Sequence, residues 1–110
     1  MSYMQDVVGE LFKKGRMDVL LLILKKREAR FSDVRKFCLK NKIVRSRGTV
    51  STIMRNLTDM NLLEREVLST RPVKTIYRLT ELGNRIAEHL EAVKELLKEG
   101  IRQTGRAGSG

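Results

Sequence analysis

A single cysteine, a single proline and no tryptophan stand among these 110 residues, and aromatic side chains make up only 5% of them. Each shortage excludes something. With Cys38 alone, no internal disulfide framework can form, so a reducing cytosol is the expected compartment. The longest apolar run, residues 19–24, falls far below the roughly 20 residues that span a bilayer. The N-terminal residues lack the pattern of a signal peptide. No Gly-rich phosphate loop, paired catalytic carboxylates or nucleophile–base motif occurs, and the lone His89 has no companion ligands for a metal. The chain is therefore read as a non-enzymatic protein without a cofactor and without a membrane partner. Near-absence of proline leaves it free to carry long helices.

What the chain has in excess is positive charge. Its 23 Lys and Arg outweigh 13 Asp and Glu, a formal charge of +10 that favours polyanions, nucleic acid first. The excess is unevenly placed. Residues 1–58 carry 14 basic and 5 acidic side chains, whereas residues 59–110 carry 9 and 8. Within residues 25–47 the count is 10 to 2. A chain of this length forms one domain with a modest core.

The basic stretch leads into residues 46–63, around which the rest is organised. Val50, Ile53, Met54, Leu57 and Met60 recur on one face of a 3.6-residue helix. Gly48, Ser51, Thr52, Arg55 and Asp59 fall opposite, giving an outer face that is small, hydroxylic and basic. Such a face can sit deep in a DNA groove and contact bases and phosphates. Ser46 is placed to cap the helix, and Asn61 tolerates the left-handed turn that ends it.

In chain order, Met4, Val7, Val8, Leu11 and Phe12 predict a first amphipathic helix over residues 3–14, stopped by Gly15. Residues 16–27 are apolar nearly all round, the mark of a central core helix. Residues 29–31 suit a short strand. Ser32 then caps a helix to Lys40 that buries Val34, Phe37 and Cys38 and exposes Arg35 and Lys36. Helix, short turn and polar-faced second helix make a helix-turn-helix. Residues 63–68 and 73–79 alternate like half-buried strands, and the loop 69–72 between them carries Arg71. That hairpin is a wing. Thr80 caps a last helix whose Leu82, Ile86, Leu90, Val93 and Leu97 repeat every three or four residues. A small domain cannot cover so long a stripe, which points to a partner subunit. Residues 100–110 read as a flexible tail.

In this order of elements the sequence resembles the winged helix-turn-helix transcriptional regulators of the MarR/PadR/HxlR kind. FSDVRKF resembles the start of that family's second helix. TVSTIMRNLTDMNLLERE is similar to its T-L-S-x-x-L-x-x-L-x-x-x-G-L-V-E-R pattern, with Asn61 in place of the glycine. IYRLTELGNRI resembles the Y-x-L-T-x-x-G that closes the wing and opens the last helix. The likeness covers residues 10–97. Many HxlR-type proteins share a sensing cysteine near the N-terminus; this chain has none there, and the role does not carry over.

The fold class expected is mainly α with a small β-hairpin, a winged helix-turn-helix whose long terminal helices form a dimer interface. Residues 1–99 make the domain. The function expected is that of a cytoplasmic, nucleoid-associated homodimer that regulates transcription on double-stranded DNA, with a small-molecule effector compatible but unmarked. Arg35, Lys36, Ser46, Arg47, Thr49, Ser51, Thr52, Arg55, Arg71 and Lys74 are the expected DNA contacts. Met4, Val8, Leu11, Ile86, Leu90, Val93 and Leu97 are the expected dimer contacts. An architectural chromatin protein with weak sequence preference, or a winged-helix module for protein or RNA contacts, is the alternative.

Overall fold

The computed structural model describes the backbone of residues 2–44 and 46–104, and the side chains of residues 7–44, 46 and 48–104. Among the described residues, five helices and three strands follow one another as α1 (Ser2–Leu11), α2 (Arg16–Lys26), β1 (Glu28–Arg30), α3 (Phe31–Lys40), α4 (Arg47–Asp59), β2 (Leu63–Leu68), β3 (Lys74–Leu79) and α5 (Glu81–Thr104).

The core forms where the apolar faces converge. Val19, Leu20 and Ile23 of α2, Val34 and Cys38 of α3, and Val50, Ile53, Met54 and Leu57 of α4 are buried together. Ala87 and Leu90 of α5 close it from the other side. The all-round hydrophobicity of α2 is explained by this position: it touches α3, β1, β3 and α5. Gly15, between α1 and α2, has φ 93°, and a Cβ there would stand 2.7 Å from Cδ1 of Ile53. The turn thus needs glycine for its backbone and for the close approach of α4.

Several boundaries differ from the sequence expectation. The first helix ends at Leu11 rather than Lys14. The third helix starts at Phe31, and its cap is the Asp33 carboxylate accepting from the Arg30 N–H at 3.1 Å, not the Ser32 hydroxyl. The short strand is not isolated but joins the hairpin. The sheet is antiparallel with order β1-β3-β2, so the expected hairpin is two-thirds of a three-stranded sheet. Glu28, Ala29 and Arg30 face Arg78, Tyr77 and Ile76 across β1 and β3. Leu63 pairs with Leu79 and Leu68 with Lys74 across β2 and β3.

Half-buried strands were expected in the wing; β3 is half-buried throughout with Tyr77 buried, whereas β2 is exposed beyond Leu63 as far as Val67. Val67 is exposed, and Val73, outside the strand, more so. β2 turns outward after Leu63, so its alternation continues with nothing to pack on, whereas β3 lies against α2, α3 and α5. Arg78 secures its base: Nε donates to Glu28 Oε1 at 3.1 Å and a terminal nitrogen to Glu66 Oε1 at 2.6 Å. One guanidinium thereby spans all three strands.

The last helix also departs from expectation. It continues through Gly100 to Thr104, five residues into the segment read as a tail. At about 1.5 Å per residue its 24 residues extend some 36 Å. Its start is locked. Thr80 Oγ1 accepts from Gly83 N at 2.9 Å, as an N-cap should, and donates to the Asn61 carbonyl at 2.7 Å. Asn61 has φ 63°, the left-handed conformation expected of it.

Candidate nucleic-acid interface

α4 is built as anticipated from its two faces. Ser46 Oγ accepts from the Thr49 N–H at 3.3 Å and lies 3.0 Å from Thr49 Oγ1, a capped start for the helix. Val50, Ile53, Met54 and Leu57 anchor it in the core, while Gly48, Ser51, Arg55 and Asp59 are exposed. Thr52 is half-buried and its hydroxyl donates to the Gly48 carbonyl at 3.1 Å. Arg55 makes no ion pair among the described residues. The outer face therefore offers a free guanidinium beside hydroxyls, a set that can donate to base edges and phosphates alike.

Two anchors outside the core hold this helix at an angle fixed by the rest of the domain. At its far end the Asn61–Thr80 bond ties it to α5, and Leu62 packs on Gly83, where a Cβ would collide with the Leu62 carbonyl. Along one flank Asn56 Nδ2 donates to Glu10 Oε2 at 2.8 Å, a bond between α4 and α1. The same carboxylate oxygen accepts from Arg16 at 3.3 Å, and Glu10 pairs with Lys13 at 3.0 Å. The Lys13 hydrogen bond first, aided by Arg16, holds the Glu10 carboxyl below its usual value. Sequence reasoning missed this network because Glu10 and Asn56 are 46 positions apart and neither stands out locally.

Two hollows border α4. On one flank Ser51 and Arg55 line a hollow of about 340 Å³ with Phe31, Arg65 and Tyr77. On the other, Thr49 lines a cleft of about 680 Å³ with Lys14, Arg16 and Lys42. Arg65, Lys14 and Lys42 were not among the expected contacts; as single cations in turns and a strand they carry no local signal.

The other expected contacts are more scattered. Lys36 is exposed and Arg35 half-buried on α3, and neither lines the hollows beside α4. Arg71 is exposed in the wing loop and Lys74 half-buried at the start of β3. The side chains of Arg47 and Met4 lie outside the described residues. Of the apolar residues expected at a subunit contact, Val8, Val93 and Leu97 are exposed, Leu11 and Ile86 partly buried against the core, and Leu90 buried in it. Cys38 is fully buried, and desolvation, with a smaller contribution from Asp18, pushes its thiol above the ordinary value. No helix among the described residues is long and apolar enough to cross a membrane.

A helix-turn-helix set on a three-stranded sheet, with the second helix exposing a polar and basic face, defines a winged helix-turn-helix DNA-binding regulator. A family model described as HxlR-like helix-turn-helix matches residues 11–104, and the chain belongs to that family. Solved structures share the fold. Diamide-treated YodB from Bacillus subtilis is 24% identical, covers 94% of this chain and 93% of its own, and superposes with a TM-score of 0.64. A transcriptional regulator homologue from Pyrococcus horikoshii is 17% identical over 92% and 98% of the two chains, with a TM-score of 0.69. A MarR-family protein from Enterococcus faecalis is 14% identical over 96% and 91%, with a TM-score of 0.74. No curated protein sequence matches the chain.

Proposed function

We propose that the protein is a homodimeric transcriptional regulator acting in the cytoplasm on chromosomal DNA. Residues 46–60 enter the major groove of a pseudo-palindromic operator and the wing, residues 68–74, lies along the adjacent minor groove. The observation that carries this reading is the outer face of α4, where Ser51 and Arg55 are exposed on a helix buried on its opposite side. Arg71 on the wing loop supplies a cation suited to a narrow minor groove.

The dimer rests on two apolar faces left open by the single chain. Val7 and Val8 of α1 and Phe12 just past its end are exposed, as are Val93, Leu96, Leu97 and Ile101 of α5. Packed on their two-fold mates, these faces would set two copies of α4 about one helical turn (roughly 34 Å) apart. Sedimentation at micromolar concentration should give a dimer; a monomer would end the paired-half-site reading.

Selection of bound sequences from random DNA, followed by footprinting, tests the base reading. The recovered site should contain two inverted half-sites. Arg55→Ala should cost roughly 1–3 kcal/mol on that site and less on random DNA, as expected for a contact to a guanine edge. An equal loss on both would make Arg55 a backbone contact. Recovery of no preferred sequence would favour an architectural role, for which the basic excess of residues 25–47 is the supporting feature.

A further inference from the structure

The cleft beside the first turn of α4 is built by two turns that meet. Lys14 comes from the turn between α1 and α2, and Lys42 from the turn between α3 and α4, where it holds φ 57°. Both lysines are exposed, and neither makes an ion pair among the described residues. Thr49 closes one side, and Ile43 and Val44 supply an apolar wall.

Arg16 forms the base of the cleft at 7% exposure. One terminal nitrogen donates to the Lys14 carbonyl at 3.2 Å and the other to Glu10 at 3.3 Å. Its Nε is buried and has no hydrogen-bond partner among the described residues. Arg16 thus fixes the turn that presents Lys14 and adds a cation that water screens poorly. One carboxylate, Glu10, answers both Arg16 and Lys13, so the cleft keeps a net positive charge.

Position decides what such a cleft meets. Thr49 and Asn56 lie on one flank of α4, and Ser51 and Arg55 on the other side of its outer face. A helix in the major groove lies between two walls of phosphate, because the groove is about 12 Å wide and lined on both sides by sugar–phosphate backbone. The flank bearing the cleft then faces one strand's backbone, close to the positive end of the α4 dipole.

We propose that Lys14 and Lys42, with Thr49 between them and Arg16 behind, form a phosphate clamp for the DNA backbone beside the start of α4. This inference rests on the proposed major-groove binding of α4. The clamp contributes affinity and register without reading sequence, in contrast to Arg55.

The test is the double variant Lys14→Gln/Lys42→Gln, measured by fluorescence anisotropy on the selected operator and on random DNA across a salt series. The variant should lose the same factor on both DNAs. The slope of log K against log salt should become shallower by about 1.8, from two lost counterion-releasing contacts. The wild-type advantage should accordingly shrink about tenfold between 50 and 200 mM salt. Lys14→Arg/Lys42→Arg should keep the wild-type slope, and unchanged helical circular dichroism in both variants excludes a folding defect. If wild type binds its operator and the Gln variant matches its slope and affinity, the clamp is overturned while the major-groove reading stands. If wild type does not bind DNA at all, that earlier reading fails first. A third arm melts both proteins in inorganic phosphate and in chloride at matched ionic strength. Phosphate stabilisation lost in the variant, with DNA binding untouched, would assign the cleft to a free anion and overturn the backbone clamp.

Discussion

Along α5 the residues before Glu91 and those after it carry the same three-and-four spacing of apolar side chains. In the first half Leu82, at the very start, is 43% exposed, but Ala87 and Leu90 are buried against α2 and Ile86 packs on the core. In the second half, Val93 is 48% exposed, Leu96 67%, Leu97 64% and Ile101 50%. The periodicity is shared, so it reports only that a face needs cover. What covers it depends on reach, since the core helix α2 has 11 residues and α5 has 24. The first half belongs to the stability of one chain. The second half is free for association, which is the role given to it in the proposed dimer.

That contrast can be broken in several places, the sharpest at the start of α5. Gly83→Ala should destabilise the protein by about 3 kcal/mol or more, because the new Cβ collides with the Leu62 carbonyl and backbone must move. Denaturant unfolding measures it, and a near-neutral result would mean that α5 can slide along the turn after α4. Next comes a matched pair. Leu90→Ala should cost about 2–4 kcal/mol at protein concentrations low enough for single chains. Leu97→Ala should stay within about 0.5 kcal/mol under the same conditions. For the same reason Leu90→Glu would unfold the chain as readily as separate two of them, so Leu97→Glu is the substitution that tests association. It should keep helical content and shift sedimentation to a monomer.

Smaller effects sharpen the picture at the two anchors of α4. Thr80→Val removes the cap of α5 and the bond to the Asn61 carbonyl, and thermal unfolding should register about 1–2 kcal/mol. The smallest effect concerns Glu10, whose carboxyl pKa is depressed in the folded state by Lys13 and then Arg16. A depressed acid stabilises the fold above its unfolded pKa, near 4.5, and the contribution fades as pH falls below that value. Glu10→Gln should therefore be less stable than wild type at pH 7 and converge with it toward pH 3. A pH-independent difference would assign the effect to packing rather than charge.

How much was legible from sequence can be argued from particular residues. Ser46 capped α4 and Asn61 ended it as expected, because both rest on local backbone chemistry. Ser32 did not cap α3, because Asp33 reaches back to the Arg30 amide and starts the helix two residues early. The wing strands alternated correctly in sequence, but alternation cannot say whether a second layer lies beneath them. Arg65, Lys14 and Lys42 were overlooked because a cation in a turn acquires meaning only from its neighbours in space.

The sequence alone determined the order of helices and strands, the core face of α4 and the basic bias of residues 25–47, all properties of periodicity, capping and composition over a few turns of chain. The tertiary structure decided that β1 completes a three-stranded sheet, that Leu90 belongs to the core while Leu97 does not, and that Glu10 holds Asn56. These depend on contacts between residues tens of positions apart, whose distances are set by how whole elements pack and leave no trace in local spacing.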